Sequence, residues 1–82
     1  MKVSNFGDVK NQFVINDGTN EYFQSYDKII VKIDSDAEVY LDKEYWDYSK
    51  TTSKYRNKFL NKTTKEVKQC VKDGTYKLTN LN

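Results

Sequence analysis

Six lysines recur at helical spacing in the second half of the chain: Lys50, Lys54 and Lys58, then Lys65, Lys68 and Lys72. Cations three or four residues apart line up along one side of an α-helix. The chemistry open to such a stripe is capture of a polyanion, driven by release of the counterions that the polyanion had condensed. Arg56 and Lys62 would widen the field. Thr63, at the head of the second lysine run, would add phosphate contacts together with the free amides of a helix N-terminus. DNA or RNA contact through Lys50, Lys54, Arg56, Lys58, Lys62, Thr63, Lys65, Lys68 and Lys72 is therefore the leading expectation. The plainer account of the same residues is the wet face of two amphipathic helices in a lysine-rich chain.

A second constellation points to a different partner. Asp42, Glu44, Tyr45, Trp46 and Asp47 put acids beside two large rings, a composition suited to docking a basic surface on a host protein, where aromatic anchors carry most of the affinity. The charge map frames both readings. Residues 1–47 hold five Lys against ten Asp and Glu, a net of −5, whereas residues 48–82 hold nine Lys and Arg against two acids, a net of +7. The total of +2 conceals this asymmetry, which is either a binding signal or an attraction between two halves of one small domain.

Catalysis is not expected. There is no His and a single Cys, so zinc sites of the Cys/His type, haem ligation by His and His-dependent hydrolytic triads are excluded within the chain, as is an internal disulfide. Gly7, Gly18 and Gly74 are isolated turn or cap glycines, which leaves no phosphate-cradling loop. Asp34, Asp36 and Glu38 lack the length and central Gly of a calcium loop. Cys70 falls on the apolar side of its helix without a basic partner and reads as structural. No cofactor and no metal are expected. No apolar run long enough for a leader or a membrane span is present, and the lone thiol suits a reducing cytoplasm.

The elements that must position these residues follow from period and turn chemistry. Aromatic residues make up 15% of the chain, enough to build a core in a chain otherwise poor in apolar residues. Val3, Phe6 and Val9 are spaced by three and suggest a short helical turn. Phe13-Val14-Ile15 and Thr19 to Tyr26 flank Asp17-Gly18, a hairpin signal. In Lys28 to Ile33, Ile29, Val31 and Ile33 alternate, with Ile30 placed among the lysines of a solvated face. A further strand begins at Glu38. Lys50 to Leu60 reads as a helix, and Thr63 with Glu66 forms a capping box that opens a second, ended by Gly74. Tyr76 and Leu78 alternate in a closing strand. The expected architecture is α+β, a single domain over residues 1–82. It has a small antiparallel sheet, a β-meander of three to four strands, followed by two short helices and a C-terminal strand. The expected core is Phe13, Ile15, Tyr22, Ile29, Val31, Ile33, Val39, Leu41, Trp46, Tyr55, Phe59, Val67, Val71, Tyr76 and Leu78. So small a core is compatible with a homodimer, and the short joint at 61–63 permits a helix-turn-helix arrangement.

Several segments carry a resemblance: Tyr22-Phe23-Gln24-Ser25-Tyr26, Trp46-Asp47-Tyr48-Ser49, Thr51-Thr52-Ser53-Lys54-Tyr55-Arg56, Phe59-Leu60 and Tyr76-Lys77-Leu78-Thr79-Asn80-Leu81-Asn82. With these the chain resembles a family of small uncharacterised proteins encoded by phages, plasmids and other mobile elements of low-GC Gram-positive bacteria. The resemblance implies a mobile-element setting, in which small accessory proteins commonly bind DNA or disable a host defence protein. It assigns no role to any individual residue.

Overall fold

Local chemistry closes both helices. A computed structural model of the chain describes residues 2–6 and 9–82; Gly7, expected in a turn, lies outside the described residues. Helix α1 (Lys50–Leu60) starts where Ser49 accepts a hydrogen bond from the Thr52 amide and stops at Asn61, whose left-handed backbone (φ 54°) returns its N–H to Asn57 and Lys58. Helix α2 (Thr64–Lys72) opens with the reciprocal Thr63–Glu66 capping box, and Gly74 takes the positive φ (83°) that follows its end. Both helices occupy the spans that their periodicity predicts.

The sheet is larger than expected. Strands β1 (Lys2–Asn5), β2 (Gln12–Asn16), β3 (Glu21–Ser25), β4 (Lys28–Ile33) and β5 (Val39–Asp42) form an antiparallel meander, and β6 (Tyr76–Thr79) adds in parallel beside β5. The result is one sheet of six strands in chain order. A parallel neighbour requires a crossover, and α1 and α2 supply it. The turn expected around Val3 is instead the edge strand β1, paired with β2 from Lys2↔Asn16 to Asn5↔Phe13. The Asp17-Gly18 hairpin is present but has a four-residue loop, because Asn20 returns its carbonyl to the Asp17 amide and the Asp17 carboxylate accepts from the Thr19 and Asn20 amides.

The helices cover one face of the sheet. The core between helices and sheet is made by Phe23, Ile30, Val31, Leu41, Val67 and Tyr76. Phe23 stacks on Phe59 with centroids 5.7 Å apart, and Phe6 stands edge-on to both Phe23 and Tyr55. A buried hydroxyl pair, Ser25 Oγ to Thr52 Oγ1 at 2.8 Å, ties α1 to β3.

Two expectations about facing are corrected. Val14, not Phe13 or Ile15, pairs with Phe23 and shares its side, so Phe13, Ile15 and Tyr22 lie half-buried on the opposite face. In β4 the register slips between Phe23↔Val31 and Gln24↔Ile29. Ile30 is the extra residue of this bulge, and it turns inward beside Val31 where simple alternation would have sent it out. Both are fully buried, and Ile29, opposite Gln24, goes to the open side; Leu78, expected in the core, is exposed instead. Among the described residues no helix is long and apolar enough to cross a membrane.

Candidate nucleic-acid interface

Arg56 organises the region from within. Its position on α1, one turn after Thr52, puts both residues on the buried side, and both are wholly inaccessible. The guanidinium donates to the Trp46 carbonyl, to Asp47 Oδ1 (3.2 Å) and, from Nε (3.2 Å) and Nη2 (2.8 Å), to Asn57 Oδ1. It also lies 5.5 Å from the Trp46 ring centroid. Asn57 in turn donates to Thr64 Oγ1 at 2.8 Å. One planar fork thus links α1, the turn over residues 43–49 and the first residue of α2. Arg56 cannot touch a phosphate from there, so its expected place among the contact residues is corrected: it holds the surface together and is not part of it.

The lysines meet on the outside of this joint. Three open depressions adjoin one another. The largest, about 680 Å³, is lined by Asp47, Tyr48, Ser49, Lys50, Ser53, Lys54, Asn57 and Thr64. A second, about 410 Å³, shares Thr64 and runs along α2 past Lys65, Lys68 and Lys72. The third, also about 410 Å³, shares Asn57 and is lined by Lys58, Asn61, Lys62, Thr63 and the carboxylate of Glu66. The first depression therefore joins the second through Thr64 and the third through Asn57, and all seven lysines of the two helices and their joint border this linked set. Among the described residues, Lys68 alone of these seven has a carboxylate within ion-pair distance, Asp47 at 3.9 Å.

That arrangement works against the helices. Lys50–Lys54, Lys54–Lys58 and Lys68–Lys72 are like charges at i,i+4, each destabilising by about 0.2–0.5 kcal/mol. The first turn of α1 carries a lysine and no acid, opposite to what the helix dipole favours. Lys54 and Lys58 recover a little by leaning on the Tyr55 ring, at 5.4 and 5.3 Å from its centroid.

The acidic–aromatic group is largely committed internally. Asp42 is buried, accepting from the amides of Leu81 (2.8 Å), Tyr45 (3.0 Å) and Glu44 (3.1 Å). Its expected role as a surface anchor is corrected: it caps the 43–49 turn and pins the residues after β6. Trp46 is half-buried against the core and covered by Arg56. Asp47 accepts from Ser53 and Arg56. Tyr45 is half-buried, with Lys28 5.1 Å from its ring centroid, and Glu44 is exposed. One signal for Arg56 stood in the sequence: it is the single arginine among thirteen lysines, and a rigid fork is the better donor where a cation must be buried and multiply bonded.

Asp42 and Asp47 make acid stability testable. Burial pushes the Asp42 carboxyl up, but hydrogen bonds from Leu81, Asn82, Glu44 and Tyr45 outweigh it and hold its pKa below the ordinary value. For Asp47, burial is likewise outweighed by Ser53, Arg56 and Lys68. A carboxyl with a lowered folded pKa adds stability above its unfolded pKa and loses it as pH falls through the folded one. Thermal melts should hold steady from neutrality down to about pH 5 and drop below about pH 4. Asp42→Asn should cost about 1–2 kcal/mol at neutral pH and flatten the acid fall. Equal melting of the variant and the wild type at pH 7 would contradict the capping role.

A family model described as a family of unknown function (DUF8033) matches residues 1–75, and the chain belongs to that family. No curated protein and no solved structure matches it. Among the described residues, no three His, Cys, Asp or Glu side chains gather as a metal site.

Proposed function

We propose that this is a small nucleic-acid-binding accessory or regulatory protein, and that the surface shared by α1 and α2 is its binding face. One observation carries the reading: seven lysines border one linked set of depressions, and among the described residues Lys68 alone of them has a carboxylate within ion-pair distance. Their mutual repulsion costs the helices stability that the contacts with Tyr55 and Asp47 offset only in part; a polyanion would relieve it. Thr63 and Thr64 at the head of α2 add hydroxyl donors at the same place. The likeness to small mobile-element proteins fits an accessory or regulatory role. The competing reading, a non-enzymatic inhibitor or adaptor of a host protein, has Asp42 buried and Trp46, Tyr45 and Asp47 already engaged within the fold, and carries less weight.

The test is direct titration of labelled oligonucleotides with purified protein at low ionic strength, followed by fluorescence anisotropy. Saturable binding in the micromolar range or tighter is expected, weakening as salt is added. A flat titration with both single-stranded and duplex probes would end this reading.

A further inference from the structure

We infer that the binding face takes single-stranded nucleic acid, seating one base of the strand against Tyr48 in the cleft between the 43–49 turn and α1. The inference rests on the reading above and goes further by naming the substrate class. Four large apolar or aromatic side chains are strongly exposed among the described residues: Val3, Tyr26, Tyr48 and Leu78. Of these, Tyr48, 46% exposed, lines the cleft bordered by Lys50 and Lys54. Its ring is not loose. Tyr45 meets it edge to face, with centroids 5.4 Å apart at an interplanar angle of 81°, and the turn that carries both is fixed by Asp42 and Arg56.

An aromatic ring in a cleft recognises a base by its flat face, and in a duplex those faces are already stacked on their neighbours. Single strands present them, which is why proteins that bind single strands combine aromatic platforms with cationic tracks. Here the track begins beside the ring: Lys50 and Lys54 are one turn apart, about 6 Å along the axis, and can hold the phosphates on either side of the seated base. Asp47 on its floor does not repel the strand as a free anion would, because Arg56 and Lys68 neutralise it. Asn57 and Thr64, already hydrogen-bonded to each other, also line the cleft, and Thr64 is shared with the depression along the α2 lysines.

The experiment compares a labelled oligothymidylate with a blunt duplex of equal length, using wild type, Tyr48→Ala and Tyr48→Phe. The wild type should bind the single strand more tightly. Tyr48→Ala should weaken that binding about ten- to a hundredfold, the range of one stacked base, leave duplex binding unchanged, and keep the wild-type circular dichroism. Tyr48→Phe should bind like wild type. If Tyr48→Ala loses its fold, cross-linking decides: an oligonucleotide carrying 5-bromouracil, irradiated on wild type, should label Tyr48 itself. Equal binding of both probes, unchanged by Tyr48→Ala, would overturn the inference and leave nucleic-acid binding standing. Cross-links confined to other residues would overturn it likewise. Absence of binding to either probe would remove the underlying reading, and this one with it.

Discussion

Replacing Arg56 by methionine is expected to lower stability by about 3 kcal/mol, a large share of the roughly 5–15 kcal/mol that holds a typical domain together. Methionine fills much of the space but leaves the Trp46 carbonyl, Asp47 and Asn57 Oδ1 without their common donor. Arg56→Lys should rescue little, since one ammonium cannot span three acceptors set around a planar fork. Urea unfolding measures both, and a midpoint for either variant equal to that of the wild type would contradict the account. The consequence for function is indirect. Loss of the fork loosens the 43–49 turn, which carries Tyr48, against α1, while the Asn57–Thr64 hydrogen bond still joins α1 to α2.

Reversing lysines should have the opposite profile, a large loss of binding with little cost in stability. The informative set is Lys50→Glu, Lys54→Glu, Lys65→Glu and Lys72→Glu, which spares Lys68 because it faces Asp47. Lys54→Glu alone turns two repulsive i,i+4 contacts into attractive ones, gaining about 0.3–0.5 kcal/mol each, against loss of its contact with Tyr55. Its melting temperature should therefore match or exceed that of the wild type while affinity for nucleic acid falls. The fourfold variant should bind more than about a hundredfold more weakly at low salt, where each phosphate contact counts most. A fourfold variant that stays folded and binds like wild type would show that the lysines are simply a solvated face.

How far the sequence could be read depended on how local the determinant was. Thr63, Glu66 and Gly74 act on neighbours within a turn, and α2 lies where they place it. Ser49 and the Tyr55–Phe59 pair do the same for α1. Strand β1 has no such signal: all four of its residues are exposed, and only pairing with β2 makes it a strand. The parallel seat of β6 depends on a crossover of some thirty residues, which no window of alternation contains. Ile30 was misplaced because the bulge that turns it inward is a property of the β3–β4 pair, not of β4. The site shows the same division. The lysine spacing was visible, and so were the helices that carry it. Arg56 and Asp42 look like surface residues from the sequence because the partners that hold them inside, Trp46, Asp47 and Leu81, lie nine or more residues away, and charge alone suggests water.

The central claim is that the lysines bordering the α1–α2 surface act together on one polyanion. The dependence of the binding constant on salt, measured for wild type on a single-stranded oligonucleotide, tests it most directly. If five or six phosphates are neutralised, log K should fall linearly against log salt with a slope of about −4, and each lysine removed should make that slope shallower by roughly one unit or a little less. A slope near zero, or one that stays the same when Lys50, Lys54, Lys65 and Lys72 are reversed, would contradict the claim.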